Sequence, residues 1–307
     1  MSQVIYQDPA WHRATTLTER IAARSAGARS DRHDGREAQR RLSRWRSQPP
    51  FTNPSVLTQR LALDGITDAE FLRVLGEPLD SQRTCFPTPM PWLAEFSEAL
   101  SDGDSPRTIP FPEGIGGHVS ALLAAVEPLI AHGLDELHKG VEHLLPGQPG
   151  APVDAQTIER ILFADLPGQL FAMLGRTLVL ELNVARLEGL LGGETAEDRF
   201  RSFSQRVRQP KIALAILREY PVLARQLTIR LSQWVAFALE FLERLCTDWD
   251  LIRGKFSPDQ DPGILVHLQT DAGDRHRDGR SVLIAKFSSG FGLVYKPKST
   301  AVDGHFQ

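Results

Sequence analysis

Asp274, His276 and Lys296 stand close together near the C-terminal end of this 307-residue chain. The first two belong to Ala272-Gly-Asp-Arg-His-Arg-Asp-Gly-Arg280, and the third ends Phe291-Gly-Leu-Val-Tyr-Lys296. A carboxylate and an imidazole are both metal ligands, but two ligands are too few to name a metal. The lysine is a cation that can reach phosphates. An apolar residue two positions before it would share its strand face and could roof a base, which is the logic of the third-strand lysine in kinases. The preceding polar segment stands where a phosphate-covering loop would be. It puts charged groups and an imidazole where a Gly-x-Gly-x-x-Gly loop has bare backbone. The plainer readings are a strand-end lysine exposed at a sheet edge and a polar hairpin loop turning at Asp278-Gly279.

These residues need strands to hold them. Ile264–Leu268, Ser281–Phe287 and Phe291–Lys296 are predicted as three strands, with Ser288-Ser-Gly290 as a short turn whose glycine makes positive φ cheap. Side chains alternate along a strand, so Val294 and Lys296 share one face while Leu293 and Tyr295 share the other. Pro297 stops the ladder.

The rest of the chain reads as helix. Residues 1 to about 50 are polar and Arg-rich, ending at Pro49-Pro50. Thr52–Leu63 and Thr67–Leu75 each begin with a threonine placed to cap a helix. A proline-rich loop over Leu79–Pro91 leads to a helix over Trp92–Leu100, and Ser101–Gly117 is a connector. One long helix is predicted over His118–Leu145. Another covers Ala155–Leu191, interrupted at Pro167-Gly168 and capped by Gly192-Gly193. Thr195-Ala-Glu-Asp198 is close to a capping box. Pro210–Glu219 and Pro221 to about Trp249 complete the helical part. Val222–Leu245 is apolar on most faces, which requires burial, although it contains Arg225, Gln226, Arg230, Gln233, Glu240 and Glu243. Glu181 and Asn183 interrupt Leu178–Leu191, and their simplest use is helix–helix hydrogen bonding or a solvent face. His138 and His143 are five apart, which is not a shared helix face, so no metal site is read there.

A net charge of -3 with 24% charged residues gives no support for nucleic acid as the main partner. The basic run Arg36–Arg46 reads as a solvated helix face. Cys85 and Cys246 have no paired spacing, which argues against a disulfide framework and a CxxC zinc site. The N-terminus has no basic region followed by an apolar core, and Val222–Leu245 carries too many charges for a membrane span, so a cytoplasmic location is expected.

Several ordered segments carry a resemblance to a known family. Gly273-Asp-Arg-His-Arg-Asp-Gly-Arg-Ser-Val282 followed by Gly292-Leu-Val-Tyr-Lys-Pro-Lys-Ser299 resembles the N-terminal part of the dehydratase domain of class II (LanM-type) lanthipeptide, or lantibiotic, synthetases. So do Arg176–Leu191, Arg199-Phe-Arg-Ser-Phe203 and Tyr220-Pro-Val-Leu-Ala-Arg225. The similarity extends over about residues 90 to 307. It implies a lipid-kinase-like core dressed with extra helices. Such enzymes phosphorylate Ser and Thr of a ribosomally made precursor peptide with ATP and magnesium, then eliminate phosphate to leave dehydroamino acids. By motif position Lys296 would hold ATP phosphates, and Asp274 and His276 would serve phosphorylation from the loop above. Arg280 and Ser281 belong to the motif without an assigned role.

The fold expected is therefore mainly α, a multi-helical region followed by a three-stranded antiparallel sheet like the start of a kinase-like small lobe. The domains expected are an N-terminal helical region over 1–105 and the start of the dehydratase over 106–307, helical over 115–250 with strands over 264–297 and truncated at 307. The family's metal-binding acidic loop, its elimination residues and a helix offering a glutamate to Lys296 are not found in the sequence, and no zinc is expected. The chain alone is therefore expected to be inactive, with an exposed apolar face where the remainder of the synthetase would dock. The rival reading is a stand-alone helical module that binds a leader peptide without catalysis.

Overall fold

The computed structural model describes residues 5–6, 8–25, 33–78, 90–101, 109–147, 150–270, 272–276 and 278–298. The expectations placed on Cys85, on the loop over 79–89, on 102–108 of the connector and on the residues after Lys298 lie outside these. The protein is mainly helical, with one three-stranded antiparallel sheet near its C-terminus, as the sequence predicts. Its described residues cluster into two units, one from Met1–Ser101 with Leu217–Arg225, the other from Asp102–Ile216 and Gln226–Gln307.

The first unit holds a 3-10 turn at Pro9–Ala14 and helices α1 (Leu17–Ser25), α2 (Gly35–Arg46), α3 (Pro54–Leu63), α4 (Asp68–Leu75) and α5 (Pro91–Ser101). Ala38 and Leu42, four apart on α2, pack into a core with Leu57, Leu61, Phe71 and Leu75. The basic run around them is only partly a solvated face. Arg40 and Arg41 both reach Glu37 at 2.7 Å, and these guanidinium partners hold its carboxyl down at about 2. Arg41 Nη1 also donates to the Leu75 carbonyl at 2.8 Å, so a cation satisfies an orphan carbonyl at the end of α4. At the far end of the unit's sequence, Arg225 donates to both oxygens of Glu19 at 2.6 and 2.8 Å and lies over the Trp92 ring.

One of the two threonine caps forms. Thr67 accepts from the Glu70 N–H at 3.2 Å while the Glu70 carboxylate accepts from the Thr67 N–H at 2.9 Å, a closed capping box. Thr52 does not cap α3. Asn53 does, accepting from the Ser55 N–H at 3.1 Å, because Pro54 is better suited to the first helical position and moves the cap one residue on. Thr67→Ala is expected to cost about 1 kcal/mol, and Thr52→Ala close to nothing, in denaturant unfolding.

The second unit begins with α6 (Gly117–Leu123), a 3-10 turn at Ala124–Val126 and α7 (Glu127–Leu144). The single helix expected over His118–Leu145 is thus broken. Pro128 lacks an N–H and restricts its predecessor, so it restarts the helix at its first turn. By length and composition Gly117–Leu144 would suffice to cross a membrane, a test that core helices also pass, and half of its most apolar window is buried inside the protein. Helices α8 (Ile158–Phe163) and α9 (Leu166–Leu187) follow, with Pro167 at the start of α9. The cap of α9 is Gly189, not the expected Gly192-Gly193. Gly189 takes φ 70, its N–H reaches the Arg186 carbonyl, and the Leu190 N–H reaches Ala185, closing a Schellman motif four residues early. Asn183 donates back to the Val179 carbonyl at 2.9 Å, a local use that needs no ligand.

Helices α10 (Ala196–Val207, capped by Thr195), α11 (Pro210–Glu219) and α12 (Pro221–Thr247) come next. Beyond them lies a helix the sequence reading missed, α13 (Trp249–Phe256). Gly254 inside it lowers local propensity, and burial of Trp249 on the sheet offsets that. Along α12, Leu227, Leu231, Trp234, Ala238, Phe241, Leu242 and Leu245 are buried at helical spacing. Gly140 of α7 faces it. A Cβ there would lie 2.3 Å from the Leu239 side chain, so the Leu239 methyls fill the space that the glycine leaves. Cys246 is buried, and burial pushes its thiol up to about 11, which keeps the nucleophilic thiolate scarce.

The sheet is β1 (Leu265–Gln269), β2 (Leu283–Phe287) and β3 (Gly292–Tyr295), in the order β1-β2-β3. Leu265 pairs with Phe287 and His267 with Lys286, so Val266 is an extra bulged residue in β1. Leu283 pairs with Tyr295 and Ile284 with Val294. One face is buried through Leu265, Leu268, Leu283, Ala285 and Phe287, with Trp249 stacked on Phe287 at 5.1 Å.

Candidate functional site

Strand order and direction decide which residues meet. β1 and β3 both run antiparallel to β2, so the β1–β2 loop and the C-terminal end of β3 lie at the same end of the sheet. Lys296 follows Tyr295, which pairs with Leu283, the first residue of β2. The loop with Asp274 and His276 and the lysine therefore share one sheet end, although 22 positions separate Asp274 from Lys296 (296 − 274 = 22).

All three side chains are exposed, and none makes a side-chain hydrogen bond or ion pair among the described residues. Val294 is 55% exposed and shares the solvent face with Lys296, while Tyr295 on the other face is half-buried. The alternation predicted for β3 is therefore present. Ile264 and Val266 are exposed as well, so apolar groups and cations line one open side of the sheet.

The loop itself is built tightly. His276 and Arg280 exchange both backbone bonds, at 2.7 and 2.9 Å, around a turn in which Asp278 and Gly279 take φ 61 and 79. Asp-Gly is thus the turn, as its chemistry predicts. Gly279 is favoured by its positive φ, and a Cβ there would also push on the Gln233 side-chain amide of α12, 2.8 Å away. The start of the loop is anchored at Thr270. The Asp165 carboxylate accepts from the Thr270 N–H at 2.8 Å and its hydroxyl at 2.9 Å, and Gln169 donates to that hydroxyl at 3.0 Å. Arg230 of α12 in turn donates to Gln169. An open groove of about 640 Å³ runs beside this anchor, lined by Asp165, Gln169, Met173, Thr270 and Arg275.

The end of the loop is held by Glu240 of α12. Its Oε2 accepts from Arg280 Nε at 2.8 Å and lies 2.6 Å from Arg280 Nη2, while Oε1 lies 2.8 Å from Arg244 Nη2. Arg244 Nη1 donates to the Tyr295 hydroxyl at 2.7 Å. The hydrogen bond that Arg280 donates to Glu240 raises the Arg280 pKa further, and burial raises that of Tyr295. Asp165, Gln169 and Arg244 were not singled out from the sequence. Glu240 was visible there only as a charge on an apolar helix. Its spacing of four from Arg244 was a further signal, since it puts both on one face.

Among the described residues, no group of three or more His, Cys, Asp or Glu side chains is placed to hold a metal. His118 instead meets Glu197 at 3.4 Å and the Phe200 ring, and His138 meets Glu159 at 2.7 Å.

Fold and site together define a helical protein whose last helices support a small antiparallel sheet with a charged loop and a lysine at one end. Residues 220–307 match a family described as a domain of unknown function, DUF4135. The match covers α12, α13, the sheet and the loop. No curated protein matches the chain.

Proposed function

We propose that residues 264–298 form the lysine-bearing sheet of a nucleotide site, and that the chain is the N-terminal part of a lanthipeptide-type dehydratase acting on Ser and Thr of a precursor peptide. The observation that carries this is the gathering of Asp274, His276 and Lys296 at one sheet end, with Val294 and Lys296 on an open face. The family matched over 220–307 is associated with lanthionine synthetase-like proteins, which supports the reading.

The donor set suits an anion. Lys296 offers three N–H donors without a competing carboxylate among the described residues, and Val294 beside it offers apolar contact. Lys296 would hold ATP phosphates and the open face would cover the base. Bound ATP would supply the phosphoryl group for the peptide hydroxyl. Asp274 and His276, on a loop whose turn is fixed by the His276–Arg280 pair, would flank those phosphates. Among the described residues no three His, Cys, Asp or Glu side chains come together near this loop to hold a cation.

Titration of the whole chain with a fluorescent ATP analogue in magnesium buffer tests this. Loss of one charge-assisted phosphate contact in Lys296→Ala is expected to weaken binding about 10- to 100-fold. A folded wild-type chain that gives no signal would sink the nucleotide site and leave leader-peptide binding by the helices as the better account.

A further inference from the structure

We infer that Glu240 is a positioning residue that ties the loop carrying Asp274 and His276 to the strand carrying Lys296. This rests on the nucleotide-site reading for its function, but the tie itself is geometric.

Three elements converge on one carboxylate. Arg280 belongs to the loop, and its backbone forms both bonds of the pair with His276, so its side-chain anchor also fixes the histidine's backbone. Tyr295 belongs to β3 and immediately precedes Lys296. Its hydroxyl bonds Arg244 at 2.7 Å and lies 3.4 Å from Glu240 Oε1, and its ring packs on Phe241 at 5.4 Å. Arg244 lies one helical turn after Glu240 on α12 and ion-pairs with it. The glutamate side chain is only 16% exposed, so the two guanidinium contacts are poorly screened by water. Without the carboxylate, the Arg280 and Arg244 guanidinium groups would lose the anion they share, and the loop would lose this contact with α12. Arg280 also approaches Asp278, but at 3.4 Å and on an exposed side chain, too weak a contact to replace Glu240.

The Asp165–Thr270 anchor holds only the start of the loop. Glu240 therefore sets the distance between the two halves of the proposed site without touching a ligand itself.

The test uses the full chain and two readouts. Amide hydrogen exchange of 272–282 and of β3 reads the tie, and affinity for the fluorescent ATP analogue reads its consequence. Glu240→Ala is expected to speed exchange in both segments and to weaken the analogue about tenfold. Glu240→Gln, which keeps shape and one acceptor, is expected to recover part of each, and it also serves if the alanine variant fails to fold. In a Lys296→Ala background the effect of Glu240→Ala on affinity should shrink at least threefold, because coupled residues are not additive. Unchanged exchange in both Glu240 variants would overturn the inference outright. Changed exchange with wild-type affinity would overturn the positioning role while sparing the nucleotide reading. If exchange changes but wild type binds no analogue, the tie stands and the nucleotide reading falls.

Discussion

Phe287→Ala is expected to destabilise the second unit by about 3–5 kcal/mol, whereas Val294→Ala on the opposite face of the sheet is expected to cost about 0.5 kcal/mol or less. Phe287 is fully buried at the end of β2, stacked on Trp249 of α13 at 5.1 Å and beside Phe291 at 5.5 Å. Removing the ring leaves a cavity lined by two other rings fixed by separate elements. It cannot collapse without moving α13 or the β2–β3 turn, so the cavity cost adds to the lost transfer energy. Val294 is more than half in water and has little burial to lose. Guanidinium unfolding followed by circular dichroism would measure both. A loss below about 1 kcal/mol for Phe287→Ala would show that α13 does not close the buried face of the sheet.

The contrast between these faces was largely legible in the sequence. Alternation over Ser281–Phe287 and Phe291–Lys296, with Gly290 between, is a period-2 signal that local sterics enforce, and the register observed follows it. Helix ends were less legible. Asn53 displaced Thr52 as a cap because of its neighbour Pro54, and Gly189 displaced Gly192-Gly193 because the first glycine able to take positive φ ends a helix. At Pro128 the apolar period runs on through the break, so periodicity alone hides it. The loop and lysine of the site could be read as motifs, since their residue types and turn chemistry are local. Glu240 could not be assigned that way. Its partners Arg280 and Tyr295 lie 40 and 55 positions away, and only strand order brings them to the same helix face. Asp165 and Thr270, 105 positions apart, were hidden for the same reason.

The second large effect is expected at Trp234, and its size separates two contributions. Trp234 is buried on α12, 6.0 Å edge-on from Phe163, and its indole N–H donates to the Leu162 carbonyl at 3.1 Å. Leu162 lies in the last turn of α8, where carbonyls have no intrahelical donor, so this bond satisfies an orphan acceptor in a buried place. Gly133 of α7 passes close by, where a Cβ would sit 3.6 Å from the indole, so α7, α8 and α12 all meet at this ring. Trp234→Ala should cost about 3–5 kcal/mol, since a large cavity opens among three helices that short-range motion cannot fill. Trp234→Phe keeps most of the apolar contact but leaves the Leu162 carbonyl bare, so about 1–3 kcal/mol should go with the bond. The two substitutions, measured side by side by denaturant unfolding, therefore divide packing from hydrogen bonding at the junction that supports the sheet. If the phenylalanine variant is as stable as wild type, the indole N–H is not what secures the end of α8, and packing alone must hold it.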